Sequence, residues 1–213
     1  TDLAEQVGAV AGQELSALGF NLYFGPSLDV LEEPSSTSIG DLGTRVFGGD
    51  PFWVGEMSRA YITGLHRGSN SRLTVIAKHF PGRGSSDRLP ELEVATVRKS
   101  LEQLKQIELA PFFAVTGNAP EVPAAADGLL VSHLRIQGLY GNIRATTRPV
   151  SFDPQALSEF LKLPEISQWW VNGGLVVSDD LGSRAVRDFY ISGGSFSARL
   201  VARDAFLAGN DIL

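Results

Sequence analysis

Cysteine is absent from the 213 residues, which excludes disulfides, thiolate nucleophiles and zinc sites built on sulfur, without fixing a compartment. Histidine is scarce: His66, His79 and His133 are the only three, and they show neither HExxH nor His-x-His spacing. A metal site would need carboxylates from distant parts of the chain, so neither a metal nor another cofactor is expected. No apolar run approaches the roughly 18 residues of a membrane span, and no basic segment with an apolar core follows Thr1. No membrane partner, signal peptide or anchor is therefore expected. With a net charge of -6 and no Lys/Arg stripe, the chain lacks what offsets a phosphate backbone, which argues against nucleic acid and for a neutral or polar small molecule. Internal repeats and low-complexity tracts are missing too.

What is present is an ordinary globular composition, 43% hydrophobic and 20% charged, in a chain long enough for one sizeable core. Residues 3 to 18 carry Leu3, Val7, Val10, Leu15 and Leu18 as a helix-like stripe that stops at Gly19. FNLYFGPSLDV then reads as a strand and its loop. Residues 51 to 68 read as a helix, and RLTVIAKHF as a strand ended by Pro81-Gly82. Residues 91 to 116, with Val94, Val97, Leu101 and Leu104 on one face, predict a third helix before the short strand DGLLVSHL. A helix over 153 to 171, begun by the cap-like Asp153-Pro154, leads into GGLVVSDDLG, and a helix over 195 to 208 hands over to Asn210-Asp211-Ile212-Leu213. EEPSSTS at 32 to 38 reads as a surface loop.

Five strands, apolar throughout and each preceded by a helix, predict an α/β fold with a parallel sheet buried on both faces. A (β/α)8 TIM-type barrel and a doubly wound sheet both satisfy this pattern. The barrel is favoured, because no strand is followed by GxGxxG or a P-loop, and because Asp29, Lys78, His79, Ser132, His133, Ser178, Asp179 and Asp180 all fall at C-terminal strand ends. Five strands do not close an eight-stranded barrel, so the expectation is one catalytic barrel domain over 1–213, incomplete at both ends.

Several of these residues suit chemistry, each with a plainer reading beside it. Adjacent strand residues point to opposite faces, so Asp179 and Asp180 divide into one functional and one structural carboxylate; the plain alternative is a helix cap or a pair with Arg184 or Arg187. Asp179 has the parity of Leu175 and Val177. Lys78 and His79 form a pair of donors suited to sugar hydroxyls or acid oxygens, or else a solvated lysine and a packed histidine. His133 alone reads as a packed side chain, and Arg45 as a forked donor or a loop ion pair.

ELSALGFNLYFGPSLDV, TRVFGGDP, AKHFPGRG, LEQLKQIELAPF, LLVSHL, GGLVVSDDL and AGNDIL, in this order, resemble the N-terminal barrel of family three glycoside hydrolases, in its β-N-acetylhexosaminidase branch. The resemblance covers nearly the whole chain, and KHFPG with SDDL is its specific part. It implies retaining hydrolysis of a terminal β-linked sugar, most of all N-acetylglucosamine, through a covalent glycosyl-enzyme. It implies Asp179 as nucleophile, Arg45, Lys78 and His79 as holders of the sugar hydroxyls, and His133 as a strand-end residue near the same pocket.

The loop after KHFPG departs from that branch. The branch continues KHFPGHG and later offers an Asp-Ser-His whose histidine, paired with the aspartate, is the acid/base. Here Arg83 replaces the first histidine, and the shortened loop runs from Gly84 through Asp87 to Pro90 without the second. Arginine does not donate a proton at neutral pH. Three sources of the acid/base follow: Asp87, in the place of the dyad acid, or Glu91, with a pKa raised by burial; a residue of a second domain or subunit, as in the β-glucosidase branch, the preferred source; or none, in a degenerate carbohydrate-binding barrel.

Overall fold

The computed structural model describes residues 1–32, 45–191 and 195–213. Residues 33–38 of the expected surface loop lie outside them. In chain order the elements are α1 (Asp2–Ala17), β1 (Leu22–Ser27), α2 (Pro51–Ser69), β2 (Thr74–Phe80), β3 (Ala95–Val97), α3 (Leu101–Gln106), α4 (Ala110–Ala114), β4 (Gly128–Val131), β5 (Leu134–Ile136), α5 (Gln137–Tyr140), α6 (Pro154–Leu161), α7 (Pro164–Val171), β6 (Leu175–Ser178), α8 (Arg184–Tyr190) and α9 (Ala198–Ala208).

Four strands make one parallel sheet in the order β1-β2-β4-β6, and Ile212 adds a single parallel bridge to Val177 on the far side of β6. Of the five strands expected, four form in full and the last is reduced to that bridge. Both faces are covered at β2, β4 and β6, whose apolar sequences are continuous, while Leu22 and Phe24 leave β1 open on one face. Val75, Ala77, Leu129, Val131 and Val176 pack into the large core with Leu104, Phe112 and Phe160 of the helices. Ile76, Leu130 and Val177 form a separate cluster on the other face. Asp179 shares the parity of Val177 and so continues this second face.

Two expectations are corrected. The helix predicted over 91 to 116 does not begin until Leu101, where Ser100 and Gln103 make a reciprocal capping box. The β-branched Thr96 and Val97 instead enter β3, which pairs in parallel with β5, Ala95 opposite Leu134 and Val97 opposite Ile136. The helix predicted over 153 to 171 is two helices, because Pro164 cannot continue α6 and starts α7.

The helix read over residues 3 to 18 forms as α1, and its packing is unusual. An apolar stripe ordinarily faces a core, yet Leu3, Val7, Val10 and Leu18 are all more than half exposed. The buried face is Ala4, Gly8 and Gly12. Its partner is Gly64 and Gly68 of α2. A Cβ on Gly8 would stand 2.2 Å from the Tyr61 carbonyl oxygen, and one on Gly64 2.1 Å from that of Glu5. The two helix backbones touch, and no larger residue fits between them.

Candidate functional site

Strand geometry gathers the polar residues. The Ser27, Lys78 and Leu130 positions are in register across β1, β2 and β4, as are Val131 and Ser178 across β4 and β6. The segments after these positions therefore emerge side by side at the C-terminal edge, where they wall a cavity of about 390 Å³. His79 and Arg83 line it from β2 and its loop, Ser132 and His133 from β4, and Asp179 and Asp180 from β6. Pro90 and Glu91 close one side, and Gly182, Ser183 and Arg184 another.

Asp179 is held by both oxygens. Ser132 Oγ donates to Oδ2 at 3.2 Å, and the backbone N–H of Asp180 donates to Oδ1 at 2.9 Å. Asp180 is turned elsewhere: its Oδ1 accepts from the Gly182 N–H at 2.8 Å, closing a local turn. Neither acid takes the helix-cap or arginine role that is the plain alternative, since Ser183 caps α8 and Arg184 reaches Asp188.

Asp29, without exposed surface, organises the other side. Its Oδ2 accepts from Ser27 Oγ and His79 Nδ1, both at 2.7 Å, and its Oδ1 from the Arg83 N–H at 2.9 Å. Burial alone would raise this carboxyl, but His79, through charge and hydrogen bond, and Arg83 outweigh it and hold the pKa at about 2. With Nδ1 engaged, Nε2 is the remaining polar atom of the His79 ring. Lys78 is half-buried; desolvation lowers its pKa, Arg83 and Arg45 lower it further, and Asp179 and Asp29 oppose them. Arg45 is exposed and acts electrostatically on Lys78.

His133 lines the cavity with both ring nitrogens occupied. Nε2 stands 3.0 Å from the Asp180 carbonyl, which only accepts, so Nε2 carries the proton and Nδ1 accepts from Ser151 Oγ at 2.7 Å. Desolvation lowers its pKa, in keeping with this neutral tautomer, and its ring stacks on Phe152. Ser151 and Phe152 carry no signal in the sequence beyond a helix-start pattern.

Asp87 lies off the cavity wall. Its oxygens accept from the Thr96 N–H at 2.8 Å and from Arg88 and Arg98, both at 3.1 Å. Burial pushes its pKa up, but these donors together bring it below the ordinary value, and its oxygens are spent on the loop. It folds the loop: its N–H reaches Thr96 and Ser86 bridges Val97. Glu91 does reach the cavity, with Oε1 2.6 Å from Arg83 Nη1.

Glu108, read in sequence only as a helix residue, is fully buried behind the same loop. Its Oε1 accepts from Ser85 Oγ at 2.5 Å and Lys99 Nζ at 3.1 Å, and desolvation raises its pKa against both. Gly82, at φ 111°, passes so close that a Cβ there would stand 2.7 Å from the Glu108 Cβ.

A larger hollow of about 800 Å³ opens at the opposite strand ends, beside Thr74, Asp127, Leu175 and Trp169. The nearby His66 is consumed by Asp127 and the Pro123 carbonyl, so the smaller cavity remains the candidate site. Among the described residues no three His, Asp or Glu side chains are grouped to hold a metal ion, and no helix is long and apolar enough to cross a membrane.

The sequence profile of the Glycosyl hydrolase family 3 N terminal domain matches residues 1–213. A β-hexosaminidase of Methylococcus capsulatus is 32% identical over 210 residues, 99% of this chain and 54% of that protein. One of Hydrogenovibrio crunogenus is 29% identical over 212 residues, 100% of this chain and 51% of that protein. The chain thus spans about half the length of these curated relatives. A solved family 3 β-N-acetylglucosaminidase from Paenibacillus sp. superposes with a TM-score of 0.75 at 26% identity, over 99% of this chain and 35% of its own. A fungal multi-domain family 3 β-N-acetylglucosaminidase gives 0.78 at 27%, over 98% and 22%.

Proposed function

This chain belongs to glycosyl hydrolase family 3, and from that premise we propose that its cavity removes a terminal β-linked sugar, N-acetylglucosamine, with retention, through a glycosyl ester on Asp179. The observation that carries this is the fixed Asp179 carboxylate. It emerges just past the end of β6 on the face of Val177, with Ser132 Oγ and the Asp180 N–H setting its orientation. A carboxylate held by two donors at a cavity wall meets the geometric need of a nucleophile that attacks an anomeric carbon.

His79 offers a ring already oriented by Asp29, Lys78 brings positive charge toward Asp179, and Arg45 adds to the charge around Lys78; in this reading these three are the donors for the sugar hydroxyls. His133 serves that site by its ring edge and through the Asp180 carbonyl. The choice of N-acetylglucosamine is supported by the relatives named β-hexosaminidase and β-N-acetylglucosaminidase. Residues 1–213 act as one catalytic domain in this reading, and since the relatives are longer, a further domain or subunit remains a partner to look for.

The test is trapping. A 5-fluoro N-acetylglucosaminide incubated with the protein should leave one sugar on the peptide that contains Asp179, seen by mass spectrometry. Aryl N-acetylglucosaminide should be turned over in preference to aryl glucoside. Tight sugar binding with neither label nor turnover sinks the hydrolase and leaves a carbohydrate-binding barrel.

A further inference from the structure

Retaining hydrolysis needs a group that protonates the leaving oxygen and then deprotonates water. The loop lacks the histidine that the resemblance leads one to expect, but the cavity wall supplies a carboxyl in another place. Among the described residues three acids line the cavity: Asp179, Asp180 and Glu91. Asp180 has one oxygen committed to the Gly182 N–H and neighbours Asp179 in sequence, on the opposite parity. Glu91 comes from a separate segment.

Resting on the glycosidase reading above, we propose that Glu91 is the acid/base of this site and that Arg83, standing where a histidine is expected, is the positioning residue that presents it. Arg83 is the fixed member of the pair, its side chain 8% exposed and its main-chain N–H bound to buried Asp29; Glu91 is the open member, its side chain 57% exposed. Asp179 follows the end of β6 and Glu91 belongs to the loop after β2, and both line the same cavity. The backbone is fixed as well. The Ala185 N–H, at the start of the helix that follows Asp179, donates to the Glu91 carbonyl at 3.2 Å, so the loop is tied to the element next to the nucleophile.

In the first half-reaction an Asp179 oxygen bonds to the anomeric carbon as the glycosidic C–O bond breaks, and the Glu91 proton passes to the departing oxygen, which leaves as an alcohol. In the second, Glu91 takes a proton from water, the water oxygen bonds to the anomeric carbon, and the ester to Asp179 breaks. Both carboxyls return to their starting forms, with no oxidant or metal required.

The experiment compares the full-length protein with E91Q and E91A on N-acetylglucosaminides with a dinitrophenyl and a simple alkyl leaving group. Glu91 is exposed enough for both variants to fold, which melting temperature checks. The expected result is a fall of about 10²- to 10⁴-fold in kcat/KM on the alkyl glycoside, little fall in kcat/KM on the dinitrophenyl glycoside, and, for E91A in azide, a faster reaction yielding β-glycosyl azide. A purely structural role moves neither the leaving-group dependence nor the azide product. An active wild type whose variants lose equally on both substrates, with no azide product, overturns the inference and leaves the Asp179 reading standing. A wild type that neither turns over nor takes the fluorosugar label overturns both.

Discussion

Asp29 Oδ2 and His79 Nδ1 lie 2.7 Å apart, and the aspartate has no surface in contact with solvent. This pair fixes the histidine ring and, through the Arg83 N–H, the loop that follows it.

Asp29→Asn should lower stability by about 3 kcal/mol, because it removes the buried charge beside Arg83 and one of the two oxygens that accept from Ser27, His79 and the Arg83 N–H. The pH dependence has a definite sign. The folded pKa, about 2, lies below the ordinary 3.8, so the contribution of the carboxylate, about 2 kcal/mol, is present above pH 3.8 and lost as pH falls through 2. Urea titrations of wild type and variant between pH 2 and 6 measure it; curves that stay parallel down to pH 2 contradict the assignment.

His66 and His133 should titrate in opposite directions from 6.5. Desolvation lowers His66, but the Asp127 carboxylate and the Pro123 carbonyl raise it overall; its stabilisation is therefore complete below 6.5 and lost as pH rises through the folded value. His133 is lowered, so its burial in the neutral form weakens the fold as pH drops below 6.5. Imidazole NMR on the two single-histidine substitutions assigns the signals, and a His133 that protonates at higher pH than His66 is the contrary outcome.

In the 213-residue chain Gly64→Ala should cost about 2 kcal/mol or more through overpacking against the Glu5 carbonyl. Val10→Ser, on the apolar but exposed stripe of the facing helix, should change stability by no more than about 0.5 kcal/mol. Thermal denaturation of the two variants reads the contrast, and equal losses would contradict it.

Asp87→Asn should cost about 1–2 kcal/mol by weakening the charge-assisted bonds to Thr96, Arg88 and Arg98. Proteolysis should quicken within residues 83–94. On the dinitrophenyl and alkyl glycosides together the variant should lose rate in equal proportion; a loss confined to the alkyl glycoside would make Asp87 the acid instead of Glu91.

The parallel sheet was legible because β2, β4 and β6 bury both faces, and a strand without a polar face stands out as an unbroken apolar run. The rim was legible for the same reason, since polar residues at the ends of such runs have few places to go. β3 was not: three residues pair with a segment nearly forty positions away, and Val94 and Val97 imitate a helix period that Ser100 alone starts in truth. The face of α1 was misleading because glycine buries backbone, which hydrophobic periodicity does not register. At the site, Asp179 and His79 sat where strand ends place them, whereas the Arg83 to Glu91 contact depends on a loop whose path is set by Asp87 and Thr96, and no local pattern encodes it.

The contact between α1 and α2 also sets a register. Gly8 and Gly12 meet the carbonyls of Tyr61 and Leu65, while Gly64 and Gly68 meet those of Glu5 and Ala9. Sliding α1 by one turn toward its N-terminus would set the Leu65 carbonyl against Ser16, whose side chain leaves no room. Only one alignment seats all four glycines, so the helix beside β1 is indexed along its axis like a key in a lock, and the end of β1 that carries Asp29 inherits that position.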